Sequence, residues 1–345
     1  MSAAEWSKRS EGVRVSRRAE GAETRSLKYA HAIREALAQE LRRDERVLVF
    51  GEDVGPYGGV WGVLRGLHDE FGDRVFDTPI SENLIVGMAV GLAIRGMRPV
   101  AELQYADFVF CAGDEVFLKC GTWRYAHGGA YDLPLVVRMA SGGAGFGPEH
   151  SQCTEAYLMH TPGVHVAVPS TPADAKGLMT TAIRSADPVF FFEHKSLYGM
   201  AGEVPEGEHL VPFGEAKIRR SGNACTIVAW QEMLRRSLAA ADLLAAEGIE
   251  VEIVDPVTLS PFDTATIVAS VKKTGACVVV EEGPRTLGVG AEIGALLMES
   301  AFGWLDRPLV RLAVPDTPIP SAPHLAATLV PGVDDIVAAV KGLLV

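Results

Sequence analysis

Cysteine is scarce in this 345-residue chain: Cys111, Cys120, Cys153, Cys225 and Cys277 stand far apart, and no two form a C-x-x-C pair. That argues against a disulfide framework and against a cysteine zinc site, and it fits a reducing, cytoplasmic setting. Positive charge is also short, with a formal net charge of −12. Nucleic acid and anionic membrane surfaces are therefore poor candidates for the main partner. The apolar run from Leu84 to Ile94 is 11 residues long, below what a bilayer span needs. No H-E-x-x-H, G-x-S-x-G or EF-hand pattern occurs, and no block of like charge or short internal repeat interrupts the chain.

What is present is apolar substance, 48% of the residues, enough to bury a large core and to build two domains. Residues 1–26 carry six Lys or Arg but no apolar core, which excludes a secretory signal. They read as a mobile tail; a mitochondrial transit peptide is the alternative, against which stand Glu5, Glu11, Glu20 and Glu23. From Lys28 onward, helical periodicity alternates with short apolar strands. Ala30, Ile33, Leu37 and Leu41 predict a helix and Val47 to Phe50 a strand, and a second helix is expected to run to Phe71. The alternation continues to about residue 200, breaks over the Pro- and Gly-containing stretch 201–214, and resumes from 215 to 345. Such alternation predicts an α/β protein with two doubly wound parallel-sheet domains, 27–200 and 215–345.

In open parallel sheets ligands gather beyond the C-terminal ends of the strands. That selects the turns Gly51 to Gly55, Asp77 to Glu82, Gln104 to Phe108 and Ser141 to Gln152. Glu82 is the first residue of an expected buried helix, Glu82 to Arg95, behind a candidate N-cap, Ser81. The plain reading of Glu82 is an acid complementing the helix dipole; the plain reading of His150 is a solvent-facing loop histidine. Gly288-Val-Gly-Ala-Glu-Ile-Gly294 resembles a dinucleotide fingerprint, but its third glycine is one position late, and helix packing is the preferred reading. The loop Ser141 to Pro148 lacks the Lys-Ser/Thr of a P-loop.

Taken in order, Gly51-Glu-Asp-Val-Gly, Asp77-Thr-Pro-Ile-Ser-Glu82, Arg98-Pro-Val-Ala-Glu-Leu-Gln104-Tyr-Ala-Asp-Phe108, His150-Ser-Gln and Ala175-Lys-Gly-Leu resemble the β subunit of the thiamine-diphosphate-dependent E1 component of 2-oxo acid dehydrogenase complexes. The resemblance covers about residue 28 to the C-terminus. It implies a pyrimidine-binding domain followed by a transketolase C-terminal-like domain. It also implies that Glu82 hydrogen-bonds N1′ of the aminopyrimidine, that Phe108 stacks on that ring, and that Glu52, Ile80, Ser81 and Gln104 line the pocket. His150 would face the substrate as a proton donor or acceptor, during reductive acylation of a lipoyl group. A carboxyl at N1′ works best when desolvation raises its pKa, and Leu84, Ile85 and Met88 are expected to supply that. The thiazolium would act as the electron sink for decarboxylation.

Thiamine enzymes hold Mg²⁺ and diphosphate with a G-D-G segment, and this chain has none: Gly72-Asp73 and Gly113-Asp114 continue with Arg and Glu. The resemblance therefore implies that Mg²⁺ and diphosphate are held by an E1 α subunit in an α₂β₂ heterotetramer. An E2 dihydrolipoyl acyltransferase would be the further partner. Backbone carbonyls of Leu135, Ala182, Ile183 and Asp187 match positions where family members hold a monovalent cation, K⁺. Glu149 and Phe108 depart from the branched-chain pattern, whereas 192–207 looks like pyruvate or acetoin dehydrogenase β chains. The expected substrate is a small 2-oxo compound. The rival readings are a self-contained nicotinamide oxidoreductase built on the Gly288 segment and a non-catalytic scaffold subunit.

Overall fold

The computed structural model describes residues 23–143 and 145–345. The expected tail lies outside them up to residue 22, and the chain enters as a strand, β1 (Thr24–Lys28). Residues up to Ala140 together with Tyr157–Phe213 form one compact unit; Ser141–Ala156 and Gly214–Val345 form another.

In the first unit, α1 (Tyr29–Arg43) buries Ile33, Leu37 and Leu41 at helical spacing, and Arg42 and Arg43 complement its C-terminal end. Strand β2 (Val47–Gly51) follows. The expected second helix is shortened to α2 (Leu67–Phe71), because the segment before it is punctuated by Gly58, Gly59, Gly62 and Gly66, all at positive φ. Next come β3 (Val75–Asp77), α3 (Glu82–Ile94), β4 (Arg98–Leu103) and a 3₁₀ segment, Ala106–Ala112. From Asp114 the chain runs as a wide π turn, Asp114–Cys120, and only then tightens into α4 (Gly121–Ala126). After β5 (Val136–Ser141) and α5 (Glu155–Met159) come β6 (His165–Ala167), α6 (Pro172–Arg184), β7 (Val189–His194) and β8 (Ala201–Pro205). Helix α6 has a capped start: Thr171 Oγ1 accepts from the Asp174 N–H at 3.2 Å, and Pro172 takes the first turn. Within this unit the strand order is β6-β7-β5-β4-β2-β3, with parallel registers. Strands β1 and β8 form a separate antiparallel pair.

In the second unit, β9 (Lys217–Arg220), β10 (Thr226–Ala229), α7 (Gln231–Ala245), β11 (Glu252–Asp255), β12 (Thr258–Ser260), α8 (Thr264–Thr274), β13 (Cys277–Pro284), α9 (Val289–Ala301), β14 (Val310–Val314), α10 (Pro323–Ala326) and α11 (Val333–Leu344) follow one another. The sheet order is β14-β13-β10-β11-β9; all neighbours are parallel except the edge strand β9. Ile227, Ile253, Val278 and Val280 of the sheet pack with Met233 and Leu234 of α7 and Ile336 and Val340 of α11. This near-continuous apolar character is what parallel strands covered by helices require.

Helix α3 departs from its expectation. Its sequence is apolar all round, yet Leu84 is 46% exposed and Gly91 is exposed while Ile85, Val86, Ala89, Val90 and Ala93 are buried. Ser81 occupies the N-cap position without capping, its hydroxyl donating instead to Asn83 Oδ1 at 2.7 Å.

Candidate active site

Three neighbouring strands, in the order β4-β2-β3, end on the same edge of the first unit's sheet. Gln104 follows β4, Glu52 follows β2 and Glu82 opens the helix after β3. Parallel pairing therefore brings together three polar side chains separated by up to 52 residues in the chain. Gln104 Nε2 donates to the Glu52 carbonyl at 2.8 Å. The Glu52 carboxyl is pushed above the usual range, first by burial, then by the negative charges of Asp53 and Glu82. Glu82 and Ser81 are half-buried, Phe108 is half-buried in the 3₁₀ segment, and Ile80 stands 71% exposed beside them. The expected dehydration of Glu82 by Leu84, Ile85 and Met88 is only partial within this chain, since Leu84 faces outward.

Behind this rim lies a buried ionic chain that the sequence reading passed over. Glu102 on β4 is in register with Arg138 on β5, and Glu193 sits on β7, the next strand. Arg138, 2% exposed, grips Glu193 through Nε and Nη2, both at 2.7 Å, and Glu102 through Nη1. Tyr198 donates to Glu193 Oε2 at 2.9 Å and stacks on Trp61. Burial works against the charge on Arg138, but the two carboxylates outweigh it and hold the guanidinium charged. Burial raises Glu102, more than Arg138 lowers it. The Cβ of any other residue at Gly51 would lie 2.5 Å from the Glu102 carbonyl, so β2 and β4 can approach here only with glycine. The signal was available: single charges inside Val100-Ala-Glu-Leu, Val136-Val-Arg-Met and Phe190-Phe-Phe-Glu demand buried partners.

His150 belongs to the 141–156 excursion that clusters with the second unit. Gly143 N–H donates to Glu282 Oε1 at 2.8 Å, and the His150 N–H donates to the Gly147 carbonyl at 3.2 Å. Leu135, Ala182, Ile183 and Asp187 lie at the opposite, N-terminal edge of the first sheet. Their carbonyls accept from Val189 N, Ser185 N, Arg98 Nη1 (2.7 Å) and Ser185 Oγ respectively.

The Gly288 segment is packing. Glu281 Oε1 accepts from Gly290 N at 3.0 Å, so a carboxylate fills the N-terminus of α9 where a dinucleotide would place its phosphate. A Cβ at Gly288 or Gly290 would fall 2.8 or 2.6 Å from that carboxylate.

Residues 25–200 match the family "Transketolase, pyrimidine binding domain" and 214–336 match "Transketolase, C-terminal domain". The acetoin:2,6-dichlorophenolindophenol oxidoreductase subunit beta of Cupriavidus necator is 44% identical over 92% of this chain and 97% of its own length. The pyruvate dehydrogenase E1 component subunit beta of Staphylococcus epidermidis is 46% identical over 85% of this chain and 91% of its own. The chain belongs to the transketolase-like family of E1 β subunits. Its Bacillus subtilis relative, also a pyruvate dehydrogenase E1 component subunit beta, is 45% identical over 84% of this chain and 90% of its own. A solved split-gene transketolase, described as an inactive β4 tetramer, superposes with a TM-score of 0.76 at 26% identity, covering 92% of this chain and 98% of its own. Membership of the E1 β family implies dependence on thiamine diphosphate. The rim fits the aminopyrimidine half of that cofactor: a carboxyl (Glu82), an acceptor (Gln104) and apolar surface (Ile80, Phe108) lie together. Among the described residues no cluster of three His, Cys, Asp or Glu could hold a metal ion.

Proposed function

We propose that the chain is the β subunit of a 2-oxo acid dehydrogenase E1 that decarboxylates a pyruvate-like substrate and passes the acyl group to the lipoyl group of an E2 acyltransferase. The convergence of Glu52, Glu82 and Gln104 at adjacent strand ends carries this reading. Residues 27–200 serve as the pyrimidine-binding domain and 215–345 as the C-terminal domain, joined by 201–214. Thiamine diphosphate supplies, when bound, the thiazolium that takes up the electrons of decarboxylation. Glu82 holds the proton at N1′ of the pyrimidine, Phe108 and Ile80 exclude water from the ring face, and Glu52 lines the pocket beside Glu82. His150 exchanges a proton with the substrate side. The α subunit of an α₂β₂ heterotetramer supplies the oxygen ligands for Mg²⁺ and diphosphate. A K⁺ ion at Leu135, Ala182, Ile183 and Asp187 would use the second lone pair of carbonyls that already accept one hydrogen bond each; its role there is structural. The similarity to an acetoin-enzyme β subunit over 97% of that protein's length supports acetoin as the second substrate reading.

Glu82→Gln in the reconstituted complex is expected to lower kcat by about 10²-fold or more while the complex still assembles. An unchanged rate in a steady-state assay sinks the catalytic role given to Glu82.

A further inference from the structure

Gln104 is a rim residue whose amide direction is set by a deeper group. Its Nε2 donates to the Glu52 carbonyl at 2.8 Å and to Glu102 Oε1 at 3.2 Å. Both amide hydrogens are thus used, and an amide nitrogen has no acceptor capacity. Oε1 is left as the acceptor, accepting from no described residue, on a side chain that is 8% exposed. Which way an amide points follows from its network of partners. Here that network ends in Glu102, whose carboxylate is tied down by the buried Arg138, itself clamped by Glu193.

Resting on the pyrimidine-pocket reading above, we propose that Glu102 is a positioning residue that locks the Gln104 amide with its oxygen toward the pocket, so that the site selects a pyrimidine carrying an N–H donor over one carrying an oxygen. Glu102 Oε1 and the Glu52 carbonyl both accept from Nε2 and together hold the amide nitrogen inward. A glutamine at 102 can present an N–H₂ donor in place of the acceptor, which favours the turned amide against the remaining pull of the Glu52 carbonyl. Arg138 and Glu193 act one step further back, by keeping the acceptor in place.

The test compares thiamine diphosphate with oxythiamine diphosphate, in which the exocyclic amine is replaced by oxygen, binding by calorimetry to the full α/β complex with Mg²⁺ present. Glu102→Gln should weaken thiamine diphosphate about tenfold, the effect of one lost hydrogen bond and one mismatched pair, and shift the preference toward oxythiamine diphosphate by at least that factor. Glu102→Asp, which keeps an acceptor, should retain the wild-type preference; it also serves if the glutamine variant fails to assemble. Equal weakening of both ligands in Glu102→Gln, or an unmoved preference in Glu102→Gln alongside a moved one in Gln104→Ala, overturns the positioning role and leaves the pocket intact. Should Gln104→Ala and Glu82→Gln both leave the binding of either ligand unchanged, the pocket reading itself falls, and the positioning role with it.

Discussion

The Glu281 carboxyl is pushed up to about 7, chiefly by burial, which outweighs the lowering by hydrogen bonds from the Gly290 and Val289 N–H groups and by Arg311. A carboxyl whose folded pKa lies above its ordinary 4.5 holds its proton longer folded than unfolded. The folded state therefore binds more protons between about pH 4.5 and 7, and its stability falls as pH rises through that window. The penalty is absent below the window and complete above it. Glu281→Gln, which keeps one oxygen for Gly290, should flatten this decline and raise the melting temperature at pH 8 more than at pH 5, measured by thermal unfolding across pH. The reverse order would mean that the hydrogen bonds, and not burial, dominate. The same residue explains why a near-fingerprint of glycines is no cofactor site: an internal carboxylate has taken the anion's place, and the glycines make room for it.

Among the elements, α3 joins a buried side to an unburied one. Leu84 and Gly91 project from the face opposite Val86 and Ala93, although nothing in the residue types distinguishes the two. Leu84 and Gly91 leave a strip of this apolar helix uncovered in its own chain, which suits contact with another subunit. A Cβ at Gly91 meets nothing within 4 Å, and the helix gains stability when glycine is replaced. Gly91→Leu should thus fold as well as the parent or better by about 0.5–1 kcal/mol, read from denaturant unfolding of the isolated chain, yet impair assembly with the α subunit in size-exclusion chromatography. Normal assembly would place the α subunit elsewhere. The π turn Asp114–Cys120 is a second feature of element scale, and no spacing in its sequence announces it.

At the scale of the whole molecule, if the partner holds Mg²⁺ and the diphosphate as proposed, the isolated chain should bind thiamine diphosphate with Mg²⁺ at least about 100-fold more weakly than the assembled complex. Equally tight binding by the isolated chain, in a calorimetric titration, would refute the shared site. Among the described residues no helix is long and apolar enough to cross a membrane. The alternation of helix and strand, the parallel sheets and the strand-end motifs were legible in the residues, because 3.6-residue periodicity, apolar strand runs and turn residues are local properties of a chain. Glu52, Glu82 and Gln104 could be named for the same reason: Glu52 and Gln104 immediately follow strands, and Glu82 opens the helix after one. Long-range pairing was not legible. The register that sets Glu102 against Arg138, the clamp on Glu193, the docking of 141–156 onto Glu282, and the choice of which face of α3 stays bare all depend on which strands become neighbours. The sequence by itself determined the elements and the chemistry at their ends; only tertiary structure decided which charges meet in the interior, where an unpaired one could not have been tolerated.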